Sequence, residues 1–407
     1  MENDFTLPKI RDNIVYREFE ENSERYILLA DVLEYSPQNI ILPVSFLSIL
    51  QLYDGKTKIS EIEEQLTQIN IPNKDDIIQQ ILNLYYLLDS NLFLETPLFF
   101  SYKQSTDEYI ASSIRPSILS GNTYSENKEE LNDYITNILN TYKQDLPNKP
   151  KGIIVPHIDL RVGKEAEKCY GLAYNAIIQN DANIFIVLGT AHSYHNDYFM
   201  LTKKDFQTPL GIAKTDRQII EILESKLSFK LNINDKLHRY EHSIEIQIPF
   251  IQAISKRKDF TILPIIAGSL HDFFNNKDTP KNHDKINEFI NTLSEILQKE
   301  NKKVVFIASA DFAHIGRRFE DDFDAETELN KLKVEDLHLI ELLEKCDSDA
   351  FFKEIASSSN KRKICGLSPI YHLFNLVQPE FCKLYTYEQW NDSPTKSAVS
   401  FATLVLY

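Results

Sequence analysis

Glycine is scarce in this chain, with ten residues in 407 against an ordinary usage of about 7%. A chain this sparing keeps glycine where the backbone requires it, and Gly163, Gly189, Gly316 and Gly366 punctuate histidine- or cysteine-bearing segments. Cysteine is scarcer still. Cys169, Cys346, Cys365 and Cys382 form no CxxC pair, which argues against a disulfide framework or zinc knuckle and fits a reducing compartment. Long apolar runs are missing: none reaches the roughly 18 residues of a membrane span, and MENDFTLPKIRDN lacks a signal peptide's basic-then-apolar layout. The expectation is a cytoplasmic protein with no membrane partner. Positive charge is in deficit, and a net of −16 repels phosphate backbones, so no nucleic-acid partner is expected. No GxSxG, P-loop or His-Glu-x-x-His occurs, so the common hydrolase and phosphotransfer templates fail.

What is present divides unevenly. The length exceeds one ordinary core, while 43% hydrophobic and 26% charged residues suit a globular protein. Residues 1–96 read as a small winged-helix-like α+β domain. RYILLAD and NIILPVS are expected strands, Ser60–Ile69 and Lys74–Leu88 have helical spacing, and LFLE closes as a strand. Residues 97–114 read as a linker. From 115 to 407 the pattern alternates: strands near 153–155, 184–188, 260–266 and 304–308, with helices between them. That order implies an α/β fold with a mostly parallel central sheet and helices on both faces. CKLYTYEQ and SAVSFATLVLY read as antiparallel strands at its edge.

All ten histidines lie at or beyond position 157, so any chemistry belongs to the larger domain. Three apolar runs end in chemically able residues: GIIVPHID in His157, IFIVLGTAH in His192, and VVFIASADFAH in Asp311 and His314. Ligand sites in open α/β sheets lie beyond the strands' carboxyl ends. Each histidine alone is more often structural, but imidazoles and a carboxylate converging at one edge suit a transition metal. A fourth segment, YEHSIEIQIPF, adds His242 and Glu245, three apart on an expected helix, so the carboxylate could orient the imidazole.

These segments, with SGNTYS upstream and ICGLSPI downstream, resemble the Memo-like family, found in bacteria as AmmeMemoRadiSam system protein B, from about Arg115 to Tyr407. The resemblance implies a fold shared with class III extradiol dioxygenases. It implies a divalent transition metal, iron first with zinc or copper as alternatives, on His157 and His192, and an acid–base role for His242. Where animal members carry a cysteine after the DF pair, this chain has Ala313, leaving Asp311, His314 or a water to complete the set, or else an empty or weakly loaded site. Cys365 matches a family cysteine and reads as a small buried apolar residue. The first domain, through LYDGKTKISEIEEQL and LLDSNLFLE, resembles PqqD-type peptide-binding winged helices. Two functions are expected from this. One is a metal-dependent oxidoreductase acting on a small-molecule or peptide substrate, with His242 and Glu245 as the catalytic pair. The other is a non-catalytic adaptor working with radical SAM and AMMECR-like partners.

A winged helix suggests DNA, but residues 1–96 hold 17 Asp plus Glu against 7 Lys plus Arg. Phosphate contacts should fail. Titration with duplex DNA at low salt is expected to show no micromolar binding, and such binding would contradict the charge argument.

Overall fold

The computed structural model describes residues 5–144, 149–193, 196–255, 259–275, 278–299 and 302–407. Most of the proline-bounded loop expected at 145–150 lies outside them. The chain divides into two compact units, Met1–Ala111 and Ser112–Tyr407.

In the first unit, Ile14–Glu21 pairs antiparallel with Glu24–Asp31, which pairs antiparallel with Ile40–Pro43. The first of these strands was not expected. Its sequence, IVYREFEE, is exposed along most of its length and carries no buried stripe to announce it. Helices Ile59–Gln68 and Lys74–Ser90 bring Ile62, Ile81, Leu84 and Leu88 into one core with Ile27 and Leu29. The strand expected at LFLE reduces to a single bridge from Leu94 to Ile10. The expected linker is instead a helix, Pro97–Ala111. Thr96 Oγ1 accepts from the Phe99 N–H at 3.4 Å, and Pro97 follows it as the first helical residue. This Thr-Pro start signal is masked by the helix's polar composition.

The second unit is built on four parallel strands in the spatial order Gly152–Val155, Val304–Ser309, Ile184–Thr190, Thr261–Ala267. Alternate side chains feed two cores, as a two-sided sheet requires. Ile154, Ile186 and Leu188 pack on one face with helices Asp284–Lys299 and Leu367–Val377. Ile153, Val155 and Val187 pack on the other with Lys128–Thr141 and Lys164–Ile177. Ser397–Leu406 runs antiparallel to Gly152–Val155 and is buried throughout. Cys382–Asp392 pairs antiparallel with it, as the sequence reading expected of these two strands, and His314–Gly316 pairs with its first residues. At the far end Gly211–Thr215, Asp205–Thr208 and Ile114–Arg115 extend the sheet. Among the described residues no helix is long and apolar enough to cross a membrane.

The parallel register brings three of the expected residues to one edge. Ser309 lies beside Val155, so Asp311 and His157 each stand two residues past the same level. Ala308 pairs with Leu188, which sets His192 beside them.

Glu245 is placed elsewhere. Its carboxylate, fully buried, pairs with the equally buried Arg115. It also accepts from Ser117 Oγ at 2.5 Å, Tyr124 Oη at 2.7 Å and the N–H groups of Ile118 and Leu119 at 3.0 and 2.9 Å. The helix expected around 244–254 breaks into His242–Glu245 and Ile248–Ile254, with Pro249 in the first turn of the second. A buried carboxylate needs a full complement of donors. Arg115 and residues 117–124 supply it where His242 could not.

Burial would raise the Glu245 pKa, but Arg115, Ser117 and the backbone donors outweigh it and hold it below the ordinary value. The stability from this pair is therefore present above about pH 4.3, the usual glutamate pKa, and is lost as pH falls through the lower folded value. Glu245→Ala is expected to cost about 3–5 kcal/mol by stranding Arg115. The check is urea unfolding followed by Trp390, the single tryptophan. Glu245→Gln should cost less and flatten the acid limb, and an unchanged acid limb would refute the assignment.

Candidate functional site

Three imidazoles meet at the carboxyl edge of the sheet. His157 and His192 lie edge to face with ring centres 5.0 Å apart, His157 and His242 likewise at 5.3 Å, and His192 stacks on His242 at 4.6 Å. They come from three separate segments, so the cluster is a product of the fold.

His157 is 4% exposed and held from two sides. Its N–H donates to Asp311 Oδ1 at 2.9 Å, and the N–H of Ile158 reaches the same oxygen at 3.2 Å. Its Nδ1 lies 3.0 Å from the Ser309 carbonyl. A carbonyl only accepts, so Nδ1 carries the proton and Nε2 keeps its lone pair. Behind it, Gln247 Nε2 donates to the Pro156 carbonyl and to Ser309 Oγ at 2.8 and 2.7 Å, and Ser309 Oγ donates to the Ser243 carbonyl. The loop bearing His157 is thus tied to the one bearing His242.

His192 and His242 are each 38% exposed and share a buried carboxylate that the sequence reading passed over. Both oxygens of Glu241 lie 3.0 Å from His192 Nδ1, and one lies 3.4 Å from His242 Nδ1. Glu241 also accepts from the Ser243 N–H at 2.8 Å, capping the helical turn His242–Glu245. Glutamate is not among the residues favoured just before a helical turn, so nothing in the sequence marked Glu241 over Glu245 as the carboxylate beside His242. Gly189 permits the packing beneath, since a Cβ there would lie 2.6 Å from both Ile244 and Ser243 side chains. His238, four residues before His242, has a zinc-protease spacing. It points elsewhere, with Nε2 on the Met200 carbonyl at 3.1 Å.

Burial, then the charge of His192, lowers the His157 pKa to about 3. Burial, then His157, lowers that of His242 to about 4. Burial also works against a charged His192, but the Glu241 hydrogen bond and charge outweigh it and raise its pKa. For Glu241, burial is outweighed by the same hydrogen bond and by the charges of both imidazoles, and its carboxyl lies well below the usual range. Near neutrality the pocket thus holds two neutral imidazoles, an imidazole able to charge, and a fixed anion behind them.

Of the four expected metal ligands, His157 and His192 come together with a third donor that was read as inert. One ligand atom from each of His157, His192 and Cys365 lies within 4.8 Å of the others, and the same holds for His192, Glu241 and His242. Asp311 is alongside, its Oδ2 3.6 Å from His157 Nε2, with its other oxygen given to two N–H groups. Burial raises its pKa. His314 turns its Nδ1 to the Lys363 carbonyl at 3.0 Å and its ring edge to Phe319. Burial lowers its pKa. It joins neither cluster.

The sequence model of the Memo-like protein family matches residues 115–405. A MEMO1 family protein of Aquifex aeolicus is 27% identical over 91% of this chain and 93% of its own length, so the match reaches into the first unit. A MEMO1 family protein of Thermoplasma volcanium is 26% identical over 60% of this chain and 78% of its own. A memo-1 homolog of Caenorhabditis elegans is 26% identical over 70% and 81%. With most of the second unit inside the family match and the motif histidines gathered at one sheet edge, this chain belongs to the Memo-like family.

Proposed function

We propose that the three-histidine pocket holds a divalent transition metal, iron in the first instance, and serves a metal-dependent oxidoreductase acting on a small molecule or peptide. The observation that carries this reading is the disposition of the ring nitrogens. Nδ1 of His157 is spent on Ser309, and Nδ1 of His192 on Glu241. Each ring is left with Nε2 as its free lone pair, at a site where a third donor also converges. Carboxylates and carbonyls behind ligating imidazoles fix their tautomer and raise their basicity. The residues fit such an ion, with His157 and His192 to hold it. A bound metal would supply Lewis acidity, or in the case of iron a means of activating dioxygen.

The remaining groups have separable tasks. His242, neutral and 38% exposed, can take a proton at Nε2 from a bound substrate. Glu241, 3.4 Å from its Nδ1, would stabilise the imidazolium that results and release it again. Asp311 holds the backbone of His157 and Ile158 and so keeps the His157 ring in place.

Anaerobic purification and elemental analysis test the reading. His157→Ala and His192→Ala are expected to lose most bound metal, while His242→Ala keeps it and loses turnover. Equal loading in all three and the parent would mean that the histidines are structural and that the pocket is a docking site.

Glu241→Gln keeps the shape and removes the charge. It should weaken metal binding by about 10–100-fold, as loss of an outer partner does, and lower the His192 pKa followed by NMR. An unchanged His192 titration would show that Glu241 does not govern the ring.

A further inference from the structure

We infer that the outer face of the three-stranded sheet in the first unit is a docking surface for an amphipathic helix of another protein, apolar along one stripe and bearing lysine or arginine beside it. The inference is independent of the metal reading and rests on a face that the packing of the unit leaves uncovered.

Strand register fixes which residues share that face. Phe19 lies opposite Tyr26, which lies opposite Pro43, and Arg17 lies opposite Leu28, which lies opposite Ile41. Directly opposed residues point to the same side, and side chains alternate along each strand, so Val15 joins this set. The intervening residues Ile27, Leu29, Ile40 and Leu42 point the other way, into the core beneath the helices. An antiparallel sheet with one face in water ordinarily alternates apolar and polar residues. The middle strand does not: Tyr26 to Ala30 reads YILLA, the composition of a strand covered on both sides. On the outer side Val15 is 46% and Ile41 58% exposed, and Phe19 stacks on Tyr26 with ring centres 5.6 Å apart. Among the described residues, Val15, Phe19, Leu28 and Ile41 belong to no apolar core of the chain. A contiguous apolar face of this kind marks an interaction site.

Charge selects the occupant. At the hairpin end of the same face Glu21 and Glu24 stand directly opposite each other, a destabilising pairing of like charges that a cation from a partner would relieve. The nearby Arg25 is turned to Glu18 at 2.5 Å. A second copy of this chain would offer the same face, on which these two carboxylates outnumber the single Arg17, and would bring a further net charge of −16 to the contact. The complement is therefore a basic partner. An added strand would pair along the backbone edge of Ile14–Glu21, whereas the uncovered side chains lie on the face, which a helix covers with its apolar stripe.

Fluorescence anisotropy of a labelled, helix-stapled peptide of leucine and lysine, titrated with the full chain, tests this. Equal binding is expected for the parent and for Val334→Asp, which adds a charge on an exposed helical position of the second unit. Val15→Glu and Ile41→Glu are expected to lose affinity at least about tenfold, because each sets a carboxylate against the peptide's leucines. Both substitutions make the protein more acidic, so simple attraction of a cationic peptide predicts the opposite sign, and unchanged or tighter binding overturns the inference. A peptide with glutamate in place of lysine should not bind, and equal binding of the two overturns the choice of a basic occupant. Sedimentation of the parent as a dimer that Ile41→Glu dissociates would also overturn it, by giving the face to a second copy. Should the variants fail to fold, a photo-reactive form of the peptide decides on the parent: crosslinks within residues 14–43 uphold the surface, and crosslinks only elsewhere overturn it.

Discussion

Arg115 is the residue on which the pocket's geometry depends. Its guanidinium, wholly buried, neutralises Glu245 while Nε donates to the His238 carbonyl at 2.6 Å and Nη2 to the Glu241 carbonyl at 2.8 Å. One cation thus sets the backbone on either side of the Glu241 turn. Glu241 in turn aims His192 and His242. A buried charge tolerates few alternative arrangements, because any partner it loses leaves an uncompensated ion. This stringency lets a broken helical segment hold His242 and, through Glu241, aim His192 from the neighbouring strand end.

A second buried network does the same for the opposite wall. Asp336, fully buried, pairs with Arg362 and accepts from Tyr387 Oη at 2.9 Å and Ser400 Oγ at 2.6 Å. Ser400 takes both backbone groups of Ala313: its Oγ accepts the Ala313 N–H at 2.9 Å, and its N–H donates to the Ala313 carbonyl at 2.9 Å. The Arg362 carbonyl accepts the His314 N–H at 2.8 Å. The Asp311–His314 loop is thereby fixed by its backbone. Ala313 becomes a core position, and Asp311 is free to hold His157. Burial raises the Asp336 pKa to about 6 despite these donors.

Between these walls the electrostatics divide the histidines by burial and by access to Glu241. His157 has one wall of backbone carbonyl and one of carboxylate and stays neutral. His192 touches the full anion and gains basicity. His242 is the intermediate case, near the anion but crowded by two other rings. Groups with such divergent proton affinities within one pocket are what acid–base chemistry needs. The same neutrality makes imidazole a ligand.

The strands of the central sheet were legible in the sequence, since a parallel strand buried on both faces must be a continuous apolar run. GIIV, IFIVLGT, TILPIIA and VVFIAS are such runs, and their shared register carried His157, His192 and Asp311 to one edge as expected. The charged strand Ile14–Glu21 and the polar helix Pro97–Ala111 were not legible because neither displays a core-facing stripe. At the site, the sequence by itself determined which strand ends bear imidazoles. It did not determine which carboxylate faces which ring, or that Cys365 meets His157 across 208 positions of chain. Those pairings depend on where the buried Arg115 and the half-buried Arg362 lie and on how closely Gly366 lets two loops approach. Periodicity reports which face of an element is apolar, whereas a buried ion's choice of partner is settled only when distant segments compete for it in three dimensions.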